Sequence, residues 1–345
     1  MSVIPLTSRR LKLAGTAFIL TMATTSLLWN QGRKFGQQEA LQSTTAPTAA
    51  SSIFTEPVAV SYSQKLVVLR AKLPEAKTAP QKQALAGEFA ELGLGAHFHN
   101  QGEGKLSLAA YDEALELFRG AEDRRGQAGV LMNRATTIAM LGKTKEAEEG
   151  LRGALEIFTS LPDTELQQAE VLFRLGGRLR AGGHYDEARR VLDRSLRIRQ
   201  KKVERTGEAD CLAVLGQLAF DEGQYALARQ LLTQAAQIFA AQGKVQSRAA
   251  VLGQLGDVAL AEGELAEAEK YYAEGLVVWE NPEQGYWVGR FLVRQARLAM
   301  AQKNMAKAEQ LARKSLSLLE ASNSPTEVAL PQAVLAELSA QRGIH

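Results

Sequence analysis

GGHYDEARRVLDRSL (182–196) is followed 40 residues later by EGQYALARQLLTQAA (222–236), and 40 residues later again by EGELAEAEKYYAEGL (262–276). Each segment has a glycine at its second position, Gly183, Gly223 or Gly263, and continues with small and large apolar residues at spacings of three and four. Such spacings place side chains on one face of an α-helix. A segment of this kind that recurs at a fixed interval predicts a repeat architecture, in which each unit is a helical hairpin.

Small residues recur in the same phase across the rest of the chain. They form three series: Gly95, Ala135, Gly176, Gly216, Gly256, Ala296 and Ala336; Ser107, Ala147, Ala188, Ala228, Ala268 and Ala308; Ala114, Ala154, Ser195, Ala235, Gly275 and Ser315. A small side chain at a crossing point lets two helices approach closely. Gly142, Gly183, Gly223 and Gly263 are expected to end the first helix of their units, because glycine readily adopts the positive φ that closes a helix.

The repeated segments resemble the Gly-x-Tyr-x-x-Ala second helix of tetratricopeptide repeats. The resemblance spans about 260 residues and implies an all-α fold, a right-handed α-solenoid of antiparallel helix hairpins. Two features depart from the family pattern. The period is 40 residues instead of about 34, and leucine occupies the usual tryptophan position, at Leu131, Leu172, Leu212, Leu252 and Leu292.

The repeat phase predicts a solenoid over 61–345. Its units are expected near 88–127, 128–168, 169–208, 209–248, 249–288 and 289–328, followed by a capping helix at 329–343. The first unit is the poorest match, because Ser107 replaces the alanine of the other units and Glu91 occupies a position that is usually apolar.

A different composition precedes the solenoid. Residues 1–12 form a basic head, 13–29 an uncharged apolar run and 30–60 a linker rich in Ser, Thr, Ala and Gln. The apolar run predicts one short transmembrane or signal helix, and the basic residues before it favour a cytoplasmic N-terminus with the repeats extracytoplasmic, as in a periplasm. An uncleaved anchor, a cleaved signal that releases the protein as a secreted or periplasmic one, and a buried helix of the soluble fold all remain open.

Charge and residue chemistry narrow the function classes. The net charge of +3 comes from the N-terminus; without its five basic residues, 36 basic residues face 38 acidic ones, so no nucleic-acid partner is expected. The four histidines show no metal-ligand spacing, and no phosphate-binding loop or nucleophile motif occurs. We therefore predict no catalytic residues, metal or cofactor. Cys211 is interpreted as a packed small residue, with a reactive thiol as the alternative.

The family resemblance implies that the first helices line a concave groove for a protein or peptide partner. Counting along the repeat phase gives the following candidate partner-binding residues: Asn133, Thr136, Phe173, Arg180, Asp210, Gln217, Asp221, Asp257, Arg290, Arg297 and Met300. Each of them could equally be an ordinary solvated helix position. Aromatic residues near Trp279 and Trp287 are interpreted as packing between units, with a ligand site as the alternative.

These features together predict a membrane-tethered, non-catalytic interaction scaffold that helps to assemble or regulate an envelope or membrane complex. The alternative is an exported, soluble peptide-binding carrier or co-chaperone, released after signal cleavage. A hidden enzyme is a third possibility, for which the sequence offers no constellation of residues.

Overall fold

A computed structural model of the protein describes residues 61–99, 104–279, 285–322 and 325–342. The predicted basic head, apolar run and linker lie outside these residues. Within them, no helix combines the length and apolarity needed to cross a bilayer. The described residues form fourteen α-helices: α1 (Tyr62–Ala71), α2 (Ala79–His99), α3 (Gly104–Gly120), α4 (Arg124–Met140), α5 (Thr144–Thr159), α6 (Glu165–Ala181), α7 (Tyr185–Lys201), α8 (Arg205–Asp221), α9 (Tyr225–Ala241), α10 (Val245–Ala261), α11 (Leu265–Leu276), α12 (Gly285–Ala301), α13 (Met305–Ala321) and α14 (Pro325–Arg342).

The helices pack in sequence order as hairpins, which confirms the predicted all-α solenoid for the described residues. The closest contacts join α2 to α3, α4 to α5, and so on to α12 and α13, and each hairpin packs on the next. The helices start slightly before the predicted unit boundaries. For example, α4 begins at Arg124, because the Asp123 side chain accepts a hydrogen bond from the backbone N–H of Gly126 and caps the helix there.

Glycine closes the first helix of four hairpins, as predicted. Gly142, Gly183, Gly223 and Gly263 have φ angles of 80°, 78°, 74° and 81°. After Gly183, the N–H of His184 donates to the carbonyl of Leu179 at 2.9 Å, which satisfies an otherwise free carbonyl at the helix end. The turn is therefore compact, and the second helix returns directly along the first.

The small-residue series lies where the two helices of a hairpin touch. A Cβ atom added to Gly176 would lie 2.5 Å from Cγ of Leu192, and one added to Gly256 would lie 2.3 Å from Cε1 of Tyr272. Both large residues are almost completely buried. The absence of a side chain on one helix thus makes room for a large side chain from the other, as the sequence pattern predicted.

Most first helices of neighbouring hairpins contact one another. Contacts join α2 to α4, α6 to α8, α8 to α10, α10 to α12 and α12 to α14, whereas successive second helices make no comparable contacts among the described residues. First helices that lie closer together than second helices place the first helices on the inner side of a curved stack. This row of first helices, called the inner face below, positions the candidate residues.

Candidate functional site

Two pairs of polar side chains link neighbouring first helices across the inner face. Arg180 of α6 donates from Nη1 to Oδ2 of Asp221 on α8 at 2.6 Å. Asp257 on α10 accepts from the hydroxyl of Tyr272 and from Nε of Arg294 on α12, each at 2.9 Å. These contacts occupy the candidate residues Arg180, Asp221 and Asp257 within the chain, so they hold adjacent repeats together.

The Tyr272 contact shows why Asp257 is needed for the fold. Burial and the neighbouring Asp257 carboxylate raise the pKa of the Tyr272 hydroxyl well above its ordinary value, so the hydroxyl stays protonated and donates. A buried hydroxyl without an acceptor would be destabilising. Asp257 therefore supports the hairpin of α10 and α11 from the inner face.

Two further candidates contact arginines that the repeat phase did not single out. Thr136 on α4 accepts from Nη1 of Arg174 on α6 at 2.9 Å. The ring of Phe173 lies 5.6 Å from the guanidinium carbon of Arg199, a distance that suits a cation–π contact. Both candidates thus help to position a charged cluster between α6 and α7.

That cluster is centred on Arg199, whose side chain is only 8% exposed. Arg199 donates to Glu170 at 2.7 Å and to Glu204 at 2.6 Å. Burial opposes ionisation of Glu170, but Arg174 and Arg199 outweigh this effect and lower the pKa of its carboxyl. A signal for Arg199 was present in the sequence, because its equivalents 41 residues before and 40 residues after are the core residues Phe158 and Phe239.

Arg290 lies at an aromatic junction on α12. Its guanidinium carbon lies 5.7 Å from the ring centre of Tyr286 and 5.3 Å from that of Trp287. The rings of Trp279 and Trp287 stack at 4.8 Å, which joins the end of one hairpin to the start of the next. Arg290 Nε also lies 3.3 Å from Oε2 of Glu327 on α14. This geometry favours packing between units over a ligand site for the aromatic cluster.

Two candidates offer little surface to a partner. Asn133 is 7% exposed. Met300 packs against a cluster of buried residues that includes Ala299 and Val334.

The remaining candidates have no hydrogen-bond or ion-pair partner in the part of the chain that the structure describes. Among the described residues, Asp210 and Gln217 on α8 and Arg297 on α12 make no hydrogen bond or ion pair, and Arg297 is exposed. Gln254 on α10, which the repeat phase did not single out, has a buried Oε1 atom without a hydrogen-bond partner. These four side chains lie on three consecutive first helices.

Asp210 has an unusual electrostatic environment. The pKa of its carboxyl is raised to about 6, and burial is the largest cause. The positive charge of Arg199 lowers this pKa, whereas the negative charge of Glu170 raises it further. The adjacent Cys211 is fully buried, and burial raises the pKa of its thiol to about 11. Cys211 donates to Oγ of Ser195 at 3.3 Å. A protonated, buried thiol matches the packing interpretation of Cys211.

Comparison with known proteins agrees with this architecture. Residues 126–201 match the tetratricopeptide repeat family. No curated protein matches the sequence significantly. The described site residues also contain no group of three or more His, Cys, Asp or Glu side chains that could hold a metal ion.

Solved structures share the fold at low sequence identity. Aspartyl phosphate phosphatase F from Bacillus subtilis is 11% identical, with a TM-score of 0.57, and the match covers 99% of this chain and 96% of that one. A Rap protein complexed with competence and sporulation factor is 17% identical, with a TM-score of 0.55 and coverage of 84% and 88%. A tetratricopeptide repeat protein from Parabacteroides merdae is 16% identical, with a TM-score of 0.52 and coverage of 79% and 98%. Residues 126–201 thus match the tetratricopeptide repeat family, and the described residues share the helical-hairpin fold of these solved structures.

Proposed function

We propose that this protein is a non-catalytic interaction scaffold, held at a membrane by residues 13–29, whose inner face binds an extended or helical segment of a partner protein. The repeats lie on the extracytoplasmic side and help to assemble or regulate an envelope or membrane complex. The apolar run and the basic residues before it support the membrane part of this proposal.

The observation that carries the binding function is the set of unpaired groups on the inner face. Asp210, Gln217, Gln254 and Arg297 present a carboxyl group, two amides and a guanidinium across α8, α10 and α12. Side-chain amides can pair with the N–H and C=O groups of a peptide backbone, and the end groups can pair with opposite charges. A solved Rap protein of the same fold is complexed with competence and sporulation factor, which supports such a use of this architecture.

Photo-crosslinking in native membranes tests the binding surface. A photoreactive amino acid replaces Gln217 on the inner face of the full-length chain, and the matched control carries it at Gln234, which is exposed on α9. We expect one partner protein to crosslink through position 217 and not through position 234. Equal crosslinking at both positions, or none at 217, would contradict the proposal.

A second candidate function, the released carrier, follows from the same apolar run, because it can also be a cleaved signal. Intact-mass measurement of the protein purified from its native source separates the two. The tethered scaffold requires the N-terminal segment to be retained. Loss of about the first 25 residues would favour the carrier instead.

A further inference from the structure

The outer faces of the second helices α5 and α7 carry charges that have no ion-pair partner among the described residues. On α5, Lys145, Glu149 and Glu156 are exposed and make no ion pair among the described residues. Other surface arginines of this chain do have partners on their own helix, such as Arg313 with Glu309 at 2.8 Å. Exposed charges without an ion pair among the described residues also occur elsewhere, as at Lys270 and Lys314, and what distinguishes α5 and α7 is how their charges correspond.

On α7, the exposed residues Asp186, Arg190 and Arg197 are likewise unpaired. Arg194 and Lys201 complete the same face, at spacings of three and four residues from their neighbours. Like charges at such spacings repel one another on a helix. The face is therefore unfavourable by itself and becomes favourable when it meets anionic groups.

The two helices correspond position by position at an offset of 41 residues. The offset is structural as well as sequential, because Ala147 and Ala188, and likewise Leu151 and Leu192, are buried at the same positions. At this offset, all three unpaired residues of α5 have the opposite charge to their equivalents on α7: Lys145 with Asp186, Glu149 with Arg190, and Glu156 with Arg197. A shift by four residues would bring Lys145 opposite Arg190 in one direction, or Glu149 opposite Asp186 in the other, so each shift creates a like-charged pair.

Opposite charges at equivalent positions of α5 and α7 suit an interface between two copies that are related by a two-fold axis. An isologous interface places the same surface of two copies face to face, so residues of one element meet residues of another and the axis repeats each contact. An axis that runs along the helices, between α5 and α7, places α5 of one copy over α7 of the other with both helices in the same direction. Equivalent positions then lie at the same level, and each unpaired charge meets its opposite.

We propose that a second copy of this chain docks on the outer faces of α5 and α7 through this two-fold arrangement. The three charge pairs are formed twice. An open cleft of about 400 Å³ between the helices, flanked by Arg152 and Arg194, lies along the axis. Gly153, the equivalent of Arg194, has nothing within 4 Å of an added Cβ, so it leaves room for Arg194 of the second copy. This surface is separate from the inner face and does not depend on the function proposed for it.

The dimer is sensitive to salt. Exposed ion pairs are individually weak and are screened by ions, so charge complementarity here sets register and specificity more than affinity. We expect the association constant of the full-length chain to fall about tenfold or more between 50 mM and 500 mM salt. Sedimentation equilibrium measures this association constant. Every sample contains the N-terminal apolar run, so any contribution of that run is the same in all comparisons.

Two charge-reversed variants of the full-length chain provide the decisive test. In Glu149→Arg with Glu156→Arg, two basic residues of α5 meet Arg190 and Arg197 of the other copy. In Arg190→Glu with Arg197→Glu, two acidic residues of α7 meet Glu149 and Glu156. Each variant alone is expected to lose at least about tenfold in self-association, because attraction becomes repulsion. An equimolar mixture is expected to form a heterodimer, because positions 149 and 156 of one variant then meet opposite charges at positions 190 and 197 of the other. Surface positions are replaced in both variants, so circular dichroism should show unchanged helix content.

A gain-of-binding variant completes the test. Gly153→Glu places a carboxylate opposite Arg194 of the second copy, and self-association should rise several-fold at low salt and not at high salt. A wild-type chain that stays monomeric at low salt, variants that self-associate like the wild type, or a mixture that fails to associate would each overturn the proposal. Binding of anionic vesicles or an acidic helical peptide to α7 by a monomeric chain would overturn it as well.

Discussion

At the residue scale, one repeat has a charged residue at a position where the neighbouring repeats have apolar residues. Arg199 occupies the position that Phe158 and Phe239 fill in neighbouring units, and its guanidinium is neutralised by Glu170 and Glu204. Removing one partner from such a cluster leaves an uncompensated buried charge, which is why these residues depend on one another. Asp210 lies beside this cluster and has no hydrogen-bond partner among the described residues, so burial has the largest effect on the pKa of its carboxyl.

The Asp210 environment predicts a pH-dependent contribution to stability. Its pKa is raised from 3.8 to about 6 on folding, so the unfolded chain releases this proton at lower pH than the folded chain. The contribution of Asp210 is fully present below about pH 4, decreases as pH rises towards 6 and is constant above that. At about 1.36 kcal/mol per pKa unit, the loss is up to about 3 kcal/mol.

Substitution of Asp210 by Asn checks this expectation. The free energy of unfolding of the Asp210→Asn variant, relative to the wild type, should rise between pH 4 and 6 and then level off in urea titrations. A difference that stays constant across this range would mean that Asp210 is ionised in the folded protein throughout.

At the element scale, adjacent glycines on α6 have opposite roles. Gly176 faces the second helix, and a Cβ there would lie 2.5 Å from Cγ of Leu192, which is fully buried. Gly177, one residue later, has nothing within 4 Å of an added Cβ. The gain in helical propensity on replacing glycine by alanine is the same at both positions. Any difference between the two variants in the free energy of unfolding therefore reports hairpin packing.

We predict opposite effects of alanine at these two positions. Gly177→Ala should stabilise the protein by about 0.5–1 kcal/mol, the usual gain of alanine over glycine in a helix. Gly176→Ala should destabilise it by about 1–3 kcal/mol, because Leu192 must move within a filled core. Urea denaturation followed by circular dichroism measures both. Equal stabilisation by the two variants would show that the hairpin yields without cost at the crossing point.

At the scale of the whole molecule, stability is local, because each hairpin contacts its neighbours only. The last described helix, α14, buries Val334 and Leu338 against a cluster that includes Ala296 and Ala308. Its removal uncovers that cluster. It leaves the hairpin of α6 and α7 untouched, since no contact between α14 and that hairpin is seen among the described residues.

Deletion of residues 325–345 should therefore act locally. Amide hydrogen exchange is expected to accelerate in α12 and α13, where apolar surface becomes exposed, while exchange in α6 and α7 stays as in the full chain. Mass spectrometry of peptic fragments resolves the two regions. Equal acceleration in α6 and α7 would show that the stack unfolds as one cooperative unit.

Much of the fold could be predicted, because each repeat needs small residues at the same helix crossings and glycine at the same turn, and the pattern therefore recurs along the chain. Gly176 and Gly256 were identifiable as contact points, since a single chain shows seven comparable positions, and Gly183 was identifiable as a turn. Each candidate site residue occurs in one repeat only, so it cannot be compared with the same residue in other repeats. Asn133 and Asp257 were assigned by phase alone, which does not show that Asn133 is almost buried or that Asp257 bonds Tyr272 and Arg294.

The sequence by itself determined the helical hairpin, its period and the small residues at its crossings, because helix formation and close packing depend on residue spacing along one element. Only the tertiary structure decided which inner-face groups remain unpaired. Asp221 and Arg180 lie 41 residues apart and meet at 2.6 Å, whereas Asp210 and Arg297 meet no partner among the described residues. Whether a charge is neutralised depends on distances between neighbouring repeats, and these are set by the packing of whole helices.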